Sequence, residues 1–266
     1  MGTNIGFFLA SIVCMSLANL HMGFGSWRLA FILGGLFGFA SYFLRKNLTE
    51  TSAFTQYKES IAHEEVPLRV LFNRHKKSII QLIAISGFLA ATLAVFTFYM
   101  PVYLSTFYHF PMSKLMEFNS FNIIIFIFGS LIAGRFDQYF GKKFFLIFIP
   151  IFAVFVIGLF SSYALLSLKQ IFAIHIIALL SIGIVCGRLP VICATFFPVQ
   201  VRYTGVAFAY NVSFGIIAGS NQMFLTWLIK ITHLLWVPGL YLFVFALCAF
   251  IAIMSVAKDK LTNYQH

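Results

Sequence analysis

Apolar residues run through this chain in long blocks, and short polar stretches rich in Lys and Arg separate them. The blocks lie at roughly 4–21, 27–44, 78–104, 115–134, 144–162, 171–197, 204–229 and 236–257. Each is close to the twenty or so residues that a helix needs to cross a hydrocarbon layer. Barrel strands are about half as long and alternate strictly between apolar and polar, which these blocks do not. Inside a bilayer every backbone N–H and C=O must find its partner within the protein, and a helix achieves that alone. The pattern therefore predicts an all-α, polytopic membrane protein with about eight transmembrane helices.

Composition agrees with the pattern. With 61% apolar and 9% charged residues among 266, the chain cannot cover itself with a wettable surface. The four cysteines, Cys14, Cys186, Cys193 and Cys248, all fall inside apolar blocks without metal-ligand spacing and read as packing residues. No metal site and no cofactor are expected.

The formal charge of +11 invites a nucleic-acid partner, so the positions of the cations decide. Eight crossings put both termini on one side. The loops and tail sharing that side carry Arg45, Lys46, Lys58, Arg69, Arg74, Lys76, Lys77, Arg135, Lys142, Lys143, Arg202, Lys258 and Lys260. The other side has Arg28, Lys114, Lys169 and Lys230. This bias predicts cytoplasmic termini, because positive loops stay inside. The basic excess then reports topology, with some attraction to anionic lipid, and no nucleic acid is needed to explain it.

The one extended polar stretch, 45–77, separates two blocks from six. Within it Pro67 is placed to open a short helix through Leu68, Val70 and Leu71, ahead of the cluster Arg74, His75, Lys76, Lys77.

Gly25-Ser26-Trp27-Arg28 and Leu44-Arg45-Lys46-Asn47-Leu48-Thr49-Glu50-Thr51 resemble the sixth helix and following loop of the metabolite:proton symporters. That family lies within the major facilitator superfamily and includes proline/betaine transporters. Three further segments agree in order: Tyr99 to Leu104, Gly134 to Lys143, and Phe197-Pro198-Val199-Gln200-Val201-Arg202-Tyr203-Thr204-Gly205. Phe197, Pro198, Arg202, Tyr203 and Gly205 carry the most specific of these loop motifs.

Family members have twelve helices, and this chain looks like helices five to twelve. The resemblance implies a partial facilitator fold: residues 1–44 as two helices of the amino-terminal bundle, 45–77 as a cytoplasmic connector, 78–257 as a six-helix carboxy-terminal bundle, and 258–266 as a cytoplasmic tail. It also implies symport of a small organic solute, such as proline, betaine or a carboxylate, across a bacterial inner membrane by alternating access. Protons would be the coupling ion, and a separately encoded amino-terminal piece could complete the machine. The other reading is a remnant without transport of its own.

Candidate residues follow from polar groups in apolar surroundings. Arg188 lies about ten residues before Phe197-Pro198, roughly 14 Å inside at helical rise. It shares a face with Ser181 and Thr195, and a guanidinium there would clamp a carboxylate in a two-bond fork. The alternative is an early end to the span, with Arg188 snorkelling to headgroups. Family members often have glutamate at the position of Thr195. Asn119, Asn122, Phe126, Gly129 and Ala133 form one stripe at helical spacing, and Asn211, Gly215, Ala218 and Gln222 another. Both suit either a solute path or close helix packing.

Phe98, Tyr99 and Tyr103 offer a cation cage, although 35 phenylalanines make ring proximity commonplace and Tyr103 suits an interfacial belt. Pro101 is placed to bend its helix. Gly134, Asp137, Gly141, Lys142 and Lys143 resemble the facilitator gating signature, with Asp137 one place early and Gln138 in the acid's position. His175 reads as a packing residue.

A catalytic role requires paired aspartates, a histidine pair or a serine–histidine dyad within the spans, and none occurs. A membrane enzyme is therefore not expected.

Overall fold

The computed structural model describes residues 26–46, 67–136 and 142–256, with Gly6, Leu9 and Val13. All regular structure among them is helical. The chain divides into two units, residues 2–66 and the rest from Pro67.

In the first unit, helix α1 (Ser26–Lys46) matches the expected second span. Its apolar stretch is Phe31–Phe43. The expected first span, 4–21, lies outside the described residues except for Gly6, Leu9 and Val13, which are helical.

In the second unit, six helical runs are long and apolar enough to cross a membrane: Lys76–Tyr108, Met112–Arg135, Phe144–Leu165, Leu168–Thr195, Gln200–Thr232 and Val237–Ser255. They coincide with the last six expected spans. The short helix α2 (Pro67–Arg74) precedes them, with proline at its first position as anticipated.

The first run is α3 (Lys76–Leu93), a π turn (Ala94–Tyr99) and α4 (Met100–Tyr108). Pro101 has no N–H to offer the Thr97 carbonyl one turn back, so the ladder widens just where the proline enters. Next come α5 (Met112–Phe136), α6 (Lys142–Ser162) and α7 (Leu168–Thr195). Ser167 opens α7 with a capping box to Gln170. The seventh expected span is α8 (Val199–Asn211), a second π turn (Val212–Ala218) and α9 (Gly219–Thr232), and α10 (Val237–Ser255) closes the bundle.

α3 is the most enclosed crossing, with α7, α10 and the second π turn packed around it. α5 and α7 run in the same direction. Phe118 stacks on Phe172 at 3.6 Å between centroids, Gly129 meets Gly183, and Ala133 meets Gly187. The sequence separation is the same in all three pairs, as expected of two crossings with one between them. A Cβ on Gly129 would stand 2.4 Å from the Leu180 carbonyl oxygen and one on Gly183 2.5 Å from the Phe126 carbonyl oxygen, so only glycine allows this approach.

Candidate functional site

A polar seam runs along the contact between α3 with its π turn and the run α8–α9. The Ser86 hydroxyl donates to the Leu82 carbonyl at 2.6 Å, which leaves the Ser213 hydroxyl to donate to Ser86 Oγ at 2.7 Å. Further along, Gln222 Nε2 donates to the Phe98 carbonyl at 3.1 Å, inside the first π turn. Thr226 Oγ1 donates to the Tyr99 hydroxyl at 3.5 Å. These bridges tie two helices that both carry an irregular turn. Side-chain bonds of this kind between membrane helices contribute about 0.6 kcal/mol each on average.

Asn221 is the residue that sequence reasoning missed. It is fully buried, and neither its amide nitrogen nor its oxygen has a hydrogen-bond partner among the described residues. The expected polar stripe, suited to a solute path or to close helix packing, was Asn211, Gly215, Ala218 and Gln222. In the structure Asn211, Gly215 and Gln222 are exposed, and the Asn211 amide donates to the Ala207 carbonyl of its own helix at 2.9 Å. The stripe was drawn on an α-helical period, and the π turn inserts one residue into it. An Asn-Gln pair in the sequence carries no sign of that insertion.

The other stripe divides. Phe126, Gly129 and Ala133 lie in the α5–α7 crossing, where close packing accounts for them. Asn119 is half-buried, while Asn122 is buried with its side-chain oxygen unpartnered among the described residues.

Arg188 is buried, and α7 continues beyond it to Thr195, so the span does not end early. Its guanidinium carbon stands 5.8 Å from the Phe145 ring centroid. Phe145 is in the first turn of α6, which puts Arg188 near one end of the bundle. Its helical neighbour Gly187 lies beside Ala133, about eleven residues and roughly 16 Å along the axis from the level of Asn122. The Ser181 and Thr195 hydroxyls bond to carbonyls of their own helix. The five candidate solute contacts lie on different elements: Arg188, Asn119 and Asn122 on the α5–α6–α7 side, Asn211 and Gln222 on the run α8–α9, where only Gln222 joins the seam.

Among the aromatics, Phe98 is half-exposed while Tyr99 and Tyr103 are enclosed. The Tyr103 hydroxyl donates to the Leu235 carbonyl at 2.7 Å, so this residue belongs to the core and not to an interfacial belt. His175 is a satisfied core residue, as read from the sequence. Its Nε2 pairs with the Tyr163 hydroxyl at 2.7 Å, and Phe96 meets it edge-on.

Of the gating residues, Gly134 is exposed in the last turn of α5. Asp137 and Gly141 lie outside the described residues, as do the side chains of Lys142 and Lys143. The motif from Phe197 to Gly205 forms a compact turn. Pro198 is extended and caps α8, Arg202 Nε donates to the Phe197 carbonyl at 3.2 Å, and the Phe197 ring lies flat against Gly205. Tyr203 points outward, 88% exposed.

Six helical runs long and apolar enough to cross a membrane, packed through the parallel pair α5 and α7, define a polytopic integral membrane protein. The chain belongs to the Major Facilitator Superfamily, whose model matches residues 2–220. It is 27% identical to the glycine betaine/proline/ectoine/pipecolic acid transporter OusA of Dickeya dadantii, over 92% of this chain and 52% of that protein. It is 24% identical to the inner membrane metabolite transport protein YhjE of Escherichia coli, over 98% of this chain and 61% of that one. The proline/betaine transporter of Salmonella typhimurium is 25% identical, over 87% and 48%. The chain thus resembles proline/betaine transporters and spans about half to three-fifths of the length of these relatives. No solved structure matches it.

Proposed function

We propose that the chain works in the transport of a small organic solute, of the proline, betaine or carboxylate type, across a bacterial inner membrane. Family membership across most of the chain carries this reading, and the printed names of the relatives supply the solute class. The mechanism is alternating access, in which two bundles rock about a midplane site. Residues 1–44 contribute to one bundle, 78–257 form the other, and 45–77 connect them on the cytoplasmic side with both termini. The thirteen-to-four distribution of cations supports that orientation.

In this reading the exposed amides Asn211 and Gln222 and the half-buried Asn119 face the solute path. Asn122 joins them when the α5–α7 pair moves. Arg188, buried beside the first turn of α6, serves solute binding only if the path reaches that end of the bundle. The α7 run offers no acid, and Glu117 is exposed at the start of α5, so proton coupling is assigned to residues outside 67–256.

A second reading follows from the share of each relative that is matched: this chain acts together with a separately encoded amino-terminal piece. Uptake of labelled proline, betaine and succinate into proteoliposomes tests both. Accumulation by the chain alone supports the first, and accumulation only after adding a four-helix piece supports the second. No uptake of any of the three under either condition removes the transport reading.

A further inference from the structure

We propose that the end of the bundle where α2, α3 and α8 begin is a docking surface for anionic phospholipid headgroups. This goes beyond solute transport and does not depend on it.

The surface is built on α2. Leu71 is fully enclosed and the Phe72 ring meets Phe208 of α8 edge-on at 5.0 Å, so this short helix is held against the bundle by its apolar side. The residues left facing outward within nine positions are Arg69, Asn73, Arg74, Lys76 and Lys77. His75 joins α2 to α3, and its ring lies 6.4 Å from that of Phe197. Across Phe197, Arg202 is tethered through Nε to the Phe197 carbonyl, which fixes the direction of its guanidinium. Tyr203, beside it, projects almost wholly out of the protein.

Charge and depth together select the partner. The segments that build the surface, 67–77 and 197–205, carry Arg69, Arg74, Lys76, Lys77 and Arg202 and no acid. Arg74, Lys76, Lys77 and Arg202 stand in the last turn of α2 or the first turns of α3 and α8, and both latter helices continue into membrane-crossing runs. Gln81 Nε2 donates to Ser255 Oγ at 2.8 Å, so α10 ends at the same level. The cations therefore sit where a crossing helix leaves the hydrocarbon, which is the depth of the lipid phosphates. A guanidinium there binds a phosphate diester in a two-bond fork, a lysine reaches it along its aliphatic stem, and a tyrosine ring rests among the headgroups. Each cation near an anionic leaflet adds to the attraction. A free phosphate ion lacks acyl chains, and this surface borders the hydrocarbon that the crossing runs enter, so the lipid is favoured over the ion.

The test is thermal unfolding of the purified full chain in a neutral detergent, with added phosphatidylglycerol, phosphatidylcholine or inorganic phosphate. Phosphatidylglycerol is expected to raise the unfolding temperature, an effect that shrinks with added salt, while the other two leave it in place. The exposed double variant Arg74→Gln/Lys77→Gln should unfold at the same temperature without lipid and lose more than half of the phosphatidylglycerol shift. Lys169→Gln/Lys230→Gln, at the opposite end, should keep the shift in full. Equal stabilisation by phosphatidylcholine or by phosphate overturns the proposal. So does an undiminished shift in the first variant, or equal loss in both.

Discussion

Ser213 and Asn221 hold successive inward positions on one membrane helix, although eight residues separate them. In an uninterrupted α-helix the position under Ser213 recurs after seven residues, at Ser220. Here Ser220 is exposed and its hydroxyl bonds to the Ile216 carbonyl of its own helix. The π turn between them takes up one residue more than an α turn, so every inward position after it moves along by one. The shift delivers a fully buried amide, with both polar atoms unpartnered among the described residues, to the packed face.

That placement costs stability. Replacing Asn221 with leucine, of similar volume, should raise the unfolding temperature in detergent, because an unpaired buried amide costs about 1–3 kcal/mol. Asn221→Ala removes the same polar atoms but leaves a hole, and should gain less or nothing. A fall in unfolding temperature for the leucine variant would mean that the amide is bonded in the folded protein.

The seam has a defined register, which cross-linking can read. With the native cysteines replaced, Ser86→Cys/Ser213→Cys should form a disulfide on mild oxidation, because their side-chain oxygens stand 2.7 Å apart. Ser86→Cys/Ser220→Cys should not. After proteolytic cutting at a site engineered into 137–141, only the first pair should hold the two fragments together on a non-reducing gel. Equal yields from both pairs would contradict the register described.

Close approach of α5 and α7 leaves no room for a side chain at Gly183. Gly183→Ala should destabilise the bundle by about 1–3 kcal/mol, since backbone atoms would have to move to admit the methyl group. Gly134→Ala, where a Cβ would meet open space, should be neutral or stabilising through helix propensity. Denaturation midpoints of the two variants should therefore move apart, and matching midpoints would refute the crossing.

His175 and Tyr163 should behave as a pair. Tyr163→Phe strands the imidazole nitrogen that accepts or donates at 2.7 Å and should cost about 1–3 kcal/mol. Adding His175→Phe removes the stranded group, so the double variant should be less unstable than the sum of the single ones. Additive losses would show that the two side chains are not coupled.

The helical crossings were legible because hydropathy is a local sum. Six runs expected from the sequence between 78 and 257 recur as helices, and Pro67 marks a helix start as its missing N–H favours. His175 was also read correctly as a packing residue, since an imidazole alone in an apolar block has few other fates. The individual faces were harder to read. Asn221 was passed over in favour of its neighbour Gln222, and Tyr103 was read as suited to the headgroup belt by its place near a span's end. The packed face carries Asn221 and leaves Gln222 exposed, and a carbonyl supplied by Leu235, far along the chain, draws Tyr103 into the core.

From the amino-acid order alone come the membrane-crossing class, the family motif from Phe197 to Gly205 and the cationic asymmetry. Each depends on composition over a short window, which no later packing event can change. The arrangement of neighbours decided the rest. Whether Asn221 or Ser220 faces inward depends on a backbone insertion stabilised by contact with α3, and Arg188's ring partner comes from α6. Such outcomes arise from which helices meet and at what offset, and a one-dimensional pattern does not contain that information.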